Sequence, residues 1–122
     1  MTKNYLRPAF ALLLTGFATA MVPVPASADS LAGKVGDQRY AAQFGDTTGG
    51  CKDAYKQYVA AEGHSAYAQT HVSYGAEAFF CGVDFNAKSQ KAAEEQALAG
   101  CVAASKRYKL KSAGTCTIYA SK

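Results

Sequence analysis

The chain has 122 residues, is 49% hydrophobic and 11% aromatic with no tryptophan, and carries a formal net charge of +4. That length leaves room for one small domain and excludes the large sheet of a hydrolase or a multidomain enzyme. The charge excess is too slight to argue for a nucleic-acid partner, and none is expected.

Residues 1–28 read as a secretory signal peptide. Lys3 and Arg7 stand without an acid, an apolar run follows from Ala9 to Val22, and Ala26-Ser27-Ala28 supplies a small-x-small cleavage site. The run is too short to span a bilayer comfortably. Removing 28 of 122 residues leaves 94, with no later segment apolar enough for a membrane span. Leu98-Ala99-Gly100-Cys101 spells a lipoprotein-type acylation box, but it follows Lys91, Glu94 and Glu95 inside a soluble helix and closes no signal peptide. A released protein without a lipid anchor is expected, periplasmic or secreted.

From Asp29 to Gly50 the chain is rich in Gly, Asp and Thr, and is expected to be a partly flexible N-terminal segment with a short edge strand near Arg39 to Phe44. The α+β domain proper is expected over residues 51–122. Cys51, Ala54, Tyr55, Tyr58 and Val59 recur at helical spacing, which predicts a first helix near Cys51 to Glu62 with Gly63 as its C-cap. His64 to Thr70 alternates as a strand, and His71 to Gly75 reads as a turn. Phe79, Cys81, Val83 and Phe85 then alternate with less apolar positions, which predicts a strand ending near Asn86. Ser89 is the expected N-cap of a long helix whose stripe is Ala93, Ala97, Cys101, Ala104 and Tyr108, flanked by Leu98 and Val102. A turn at Lys111 to Thr115 leads to a last strand over Cys116 to Ala120. The whole is a small α+β domain, a short β-sheet with two helices on one face, stabilised by disulfides.

Cys51, Cys81, Cys101 and Cys116 all lie past residue 28, and an even count in a short exported chain reads as two disulfides. Three pairings are open; Cys101 with Cys116, helix face to following strand, is preferred, which leaves Cys51 with Cys81. The spacings of 30, 20 and 15 contain no C-x-x-C pair, so thiol redox chemistry lacks its resolving partner. His64 and His71 are seven apart and far from any cysteine in sequence, so neither metal ligands nor a cofactor site is expected. Gly63-His64-Ser65-Ala66-Tyr67 begins like a nucleophile elbow but lacks its second glycine, and Ser65, His71 and Asp84 form a triad only on paper. No glycine-rich phosphate loop precedes a helix. No catalytic residues are assigned, and the chain is read as a non-enzyme.

Without Lys3 and Arg7 the chain has 11 basic and 9 acidic residues, net +2. After Gly100 come Lys106, Arg107, Lys109, Lys111 and Lys122 with no acid. Lys106, Arg107, Lys109 and Lys111 are therefore the candidate contact with an anionic surface, such as lipopolysaccharide phosphates or anionic lipid. The plainer reading places cations at a helix C-terminus, where they favour its dipole. Tyr40, Tyr67, Tyr74 and Tyr119 cannot all be core, and tyrosine suits interfaces.

Lys91 to Cys101, KAAEEQALAGC, followed by Gly114 to Ala120, GTCTIYA, resembles small exported cysteine-containing domains of unknown function from Gram-negative bacteria. Gly63 to Thr70 and Phe79 to Leu98 are similar to short exported proteins of that group, some of which carry the label 5-aminolevulinate synthase. The resemblance implies no catalytic residues. A pyridoxal-phosphate synthase needs a large domain, a Schiff-base lysine and a pyridinium partner, which this chain does not supply. The expected function is a non-enzymatic module binding an envelope protein or anionic surface. An inhibitor or stress-protection protein against a hydrolase is the alternative, and a small hydrolase the remote one.

Overall fold

A computed structural model describes residues 29–45 and 49–122. The signal peptide read over residues 1–28, and the middle of the loop from Gly45 to Gly50, lie outside the described residues. The elements follow the order β1 (Asp37–Gln38), α1 (Gly50–Ala60), β2 (His64–His71), β3 (Cys81–Ala87), α2 (Gln90–Tyr108) and β4 (Ala113–Ser121). The strands form one antiparallel sheet in the order β1-β4-β2-β3. β3, α2 and β4 are a β-α-β unit opened by β2, which lies between its two strands and pairs with both. This is the expected disulfide-stabilised α+β domain.

Both faces of β2 are buried, and this decides the architecture. Ala66 and Ala68 pack with Ala93, Ala97 and Cys101 of α2, whereas Tyr67 packs with Tyr58 of α1 and Tyr119 of β4. Successive strand side chains point to opposite faces, so the helices lie on opposite faces of the sheet. The expectation of two helices on one face is corrected here. Each helix follows from its own stripe, but which face a stripe covers depends on pairing far along the chain. A bulge completes the arrangement: Tyr67 pairs with Ala120 and Ala68 with Ile118, so Tyr119 is the extra residue and joins Ala120 in the α1 cluster.

The α2 layer is thin because its contacts are small. Ala93, Ala97 and Cys101 are fully buried against Ala66, Ala68 and Ile118. Ser89 caps this helix as its sequence predicts, its hydroxyl accepting from the Ala92 N–H at 3.1 Å. The α1 layer is aromatic, with Tyr58, Tyr67 and Tyr119 buried and Tyr55, Phe44, Val83 and Phe85 packed around them.

Several boundaries differ from the sequence reading. α1 stops at Ala60, and the chain leaves it extended at Ala61, so Gly63 is not a C-cap. Gly63 instead passes so close to Asn86 that a Cβ would lie 2.8 Å from the Asn86 carboxamide oxygen, which accepts its N–H. The edge strand sits at Asp37–Gln38 and not over Arg39 to Phe44, because Arg39 and Tyr40 both donate to the Tyr119 carbonyl and turn away from the ladder. β3 starts at Cys81, two residues beyond Phe79, and β2 extends through His71. β4 starts at Ala113, inside the stretch read as a turn. Residues 29–45 cross the α1 face, with Leu31 and Gly33 donating to Glu62 and Val59 at 2.8 and 2.7 Å.

Candidate functional site

The four candidate cations gather at one end of the molecule. Lys106 and Arg107 occupy the last turn of α2, Lys109 closes it in the left-handed conformation at φ 51°, and Lys111 lies just before β4; all four are exposed. Lys109 to Lys111 do not hang free. The Lys111 N–H donates to Glu77 at 2.8 Å, and the Lys111 carbonyl accepts from the N–H groups of Glu77 and Ala78. The main chain of the basic stretch is thus fixed against the segment that leads into β3.

Apolar residues share this end. Val102, Tyr108 and Leu110 are 39%, 59% and 47% exposed, and they make up most of the large exposed hydrophobic residues, Tyr40 and Tyr74 being the others. Tyr108 belongs to the stripe expected to be buried, and Val102 flanks it. Only its upper part meets the sheet: Tyr108 rests one ring face on Phe80 in a stacked pair at 6.1 Å, while the Arg107 guanidinium lies 5.7 Å from its centroid. Sequence spacing carries no sign of where the sheet beneath a helix ends, so this exposure was not legible in it.

A groove of about 340 Å³ opens beside Tyr108, lined by Cys51, Phe79, Phe80, Cys81 and Ala104. It lies at the start of β3, between the start of α1 and the end of α2. A larger hollow, about 440 Å³, lies at the other end of the sheet among Asp29, Glu62, His64 and Asn86 and shares no residue with the basic stretch. The groove is the better candidate because Tyr108, whose ring lies beside the Arg107 guanidinium, lines it.

Among the described residues the ion pairs are Arg39 with Asp37 and with Glu94, so Lys106, Arg107, Lys109 and Lys111 have no acidic side chain paired to them. Glu94 serves the other end, accepting from Ser121 at 2.6 Å while its hydrogen bond to Arg39 holds that guanidinium's pKa up. Lys122 departs from the basic group altogether. Its ammonium donates to the carbonyls of Leu31, Val59 and Ala61 at 2.8, 3.0 and 2.7 Å, over the Tyr58 ring, closing the C-terminal end of α1. Burial, with Lys34 adding repulsion, lowers its pKa.

The paper triad is not assembled. Ser65 and His71 stand at opposite ends of β2, six residues or about 20 Å apart. Ser65 is buried, donating to the Gly63 carbonyl and accepting from the Asn86 N–H. His71 Nδ1 bonds the Tyr119 hydroxyl at 2.6 Å. Of the four tyrosines expected to be shared between core and surface, Tyr67 and Tyr119 are core and Tyr40 and Tyr74 exposed. Among the described residues no group of three or more His, Cys, Asp or Glu side chains could hold a metal ion.

The buried phenols titrate with the fold. Burial raises the pKa of Tyr55, Tyr58, Tyr67 and Tyr119 above the ordinary value of 10.0. Below that value both folded and unfolded chains keep the proton; above it the unfolded chain loses it first, so stability falls as pH rises. The denaturant midpoint is expected to hold up to about pH 9 and drop steeply above about pH 10. Tyrosinate absorbance should then climb in step with the loss of far-ultraviolet circular dichroism. Complete tyrosine ionisation with the dichroism intact would contradict this burial.

The fold and this end of it define a class: a small helix–sheet–helix α+β domain with a disulfide on each face and a mixed cationic and apolar patch. Cys51 is bridged to Cys81 on the α1 side and Cys101 to Cys116 on the α2 side, the preferred pairing. Two disulfides fit an oxidising, exported setting. No helix among the described residues is long and apolar enough to cross a membrane. A scan of protein-family models and searches of curated proteins and solved structures find no match to this chain.

Proposed function

We propose that this chain is an exported, non-enzymatic binding module that attaches to an anionic surface of the cell envelope through the end of α2. The observation that carries this reading is the meeting of four exposed cations, Lys106, Arg107, Lys109 and Lys111, with exposed Val102, Tyr108 and Leu110. Charge draws the domain to a negative surface, and apolar side chains at the same place hold it in the interfacial layer. The signal-peptide pattern of residues 1–28 supports delivery outside the cytoplasm, to the periplasm or beyond it.

The test is sedimentation with vesicles. Phosphatidylglycerol-rich vesicles should bind the protein and phosphatidylcholine vesicles should not, with binding weakened by added salt. Each cation near an anionic bilayer contributes about 1 kcal/mol, a factor of about five. Lys106→Gln, Arg107→Gln, Lys109→Gln and Lys111→Gln together are expected to weaken binding at least a hundredfold with the melting temperature held. Equal binding to both vesicle types, or a quadruple variant that binds like the parent, would refute the reading.

A further inference from the structure

We propose that the groove beside Tyr108 takes the alkyl chain of a single anionic amphiphile, its phosphate or carboxylate head resting on the cationic stretch. This rests on the surface-binding reading and gives it a ligand. Three observations lead to it. The groove walls are apolar: Phe79, Phe80 and Ala104 with the Cys51–Cys81 bridge. Tyr108 joins groove to charge, because one residue lines the hollow, stacks on Phe80 and lies under the Arg107 guanidinium. Lys111 is held at the other rim by its main-chain bonds to Glu77 and Ala78, next to Phe79. An apolar trough with a guanidinium over one of its lining rings and the main chain of Lys111 bonded beside Phe79 matches a molecule with a tail and a negative head. A neutral lipid would leave the cations unused, and a free anion would leave the trough empty. Glu77 lines the adjoining hollow, and its carboxylate accepts from the Lys111 N–H.

Calorimetric titration of the purified full chain with alkyl phosphates below their micelle concentrations tests the proposal. Decyl phosphate should bind saturably with one site. Affinity should rise at least twofold per added methylene from hexyl to decyl, toward the roughly fourfold limit of full methylene burial. Inorganic phosphate should bind too weakly to measure. Ala104→Trp fills the groove and is expected to weaken decyl phosphate at least tenfold while leaving charge-driven vesicle binding within about twofold. Should that variant not fold, Tyr108→Ala removes one wall and should produce the same loss for decyl phosphate. An affinity independent of chain length, or unchanged in both variants, overturns the groove and leaves the vesicle result standing. Vesicle binding that survives in the quadruple glutamine variant overturns the surface reading itself. A concentration-dependent dimer that decyl phosphate does not dissociate would assign the groove to a second copy and overturn the proposal.

Discussion

Gly82→Ala destabilises the fold by about 3 kcal/mol or more, and Gly100→Ala stabilises it by about 0.5–1 kcal/mol, although the two residues touch. A Cβ on Gly82 would lie 2.1 Å from the Ala97 carbonyl oxygen and 2.3 Å from the Cys101 nitrogen. Both are backbone atoms of α2, which cannot swing aside as a side chain can. The helix would have to lift from the sheet, and with it Ala93, Ala97 and Cys101 would lose contact with Ala66 and Ala68. On the far side of that contact, a Cβ on Gly100 would meet the Gly82 Cα at an ordinary 3.6 Å. Gly100 lies in the helix interior, where alanine is favoured over glycine both by propensity and by a less disordered unfolded chain. Urea melts of the two variants check the pair of signs. A Gly82→Ala protein as stable as the parent would mean that α2 does not ride this close to β3.

Removing either disulfide is expected to cost about 3–4 kcal/mol, and removing both should leave the chain unfolded at ordinary temperature. The closed loops are of 15 and 30 residues, so chain entropy alone ranks Cys51–Cys81 slightly above Cys101–Cys116. The consequences differ in kind because the bridges hold different helices. Cys101 is fully buried in the α2 layer, and Cys101→Ala with Cys116→Ala adds a packing defect to the lost cross-link. α1 buries only Tyr58 completely, so Cys51→Ala with Cys81→Ala should release it locally. Hydrogen exchange is the measurement: α1 amides should lose protection well before those of β2 in the second variant, while the first loses protection throughout. Uniform loss in both would show that the two faces unfold as one unit.

The legible part of the fold is the part encoded by nearest neighbours. The helical spacing of Cys51 to Val59, the Ser89 cap and the stripe through Ala93, Ala97 and Cys101 each need only a few adjacent residues, and each appears in the structure where it was read. The preference for Cys101 with Cys116 rests on the step from a helix to the strand that follows it, which is also local, and Cys51 with Cys81 is what that preference leaves. Caps and edges were less legible. Gly63 has the composition of a cap, but its smallness serves the contact with Asn86, more than twenty residues away. The candidate site divides in the same way. Its cations stand together in sequence and were found there. Of its apolar half, Tyr108 keeps the stripe's spacing past the last fully buried position, Cys101, and Val102 flanks that stripe, so the spacing alone does not show that both are exposed.

The sequence by itself determined the compartment signals, the α+β composition, the kind and order of the main elements, the even set of cysteines and the cationic stretch. Tertiary structure alone decided that the helices take opposite faces, that Lys122 is spent on the end of α1, and that a groove opens beside Tyr108 and the Arg107 above its ring. The physical reason is range. Propensity, capping and periodicity act over one or two turns of chain, whereas the face a helix covers is set by strand pairing and by a one-residue bulge at Tyr119.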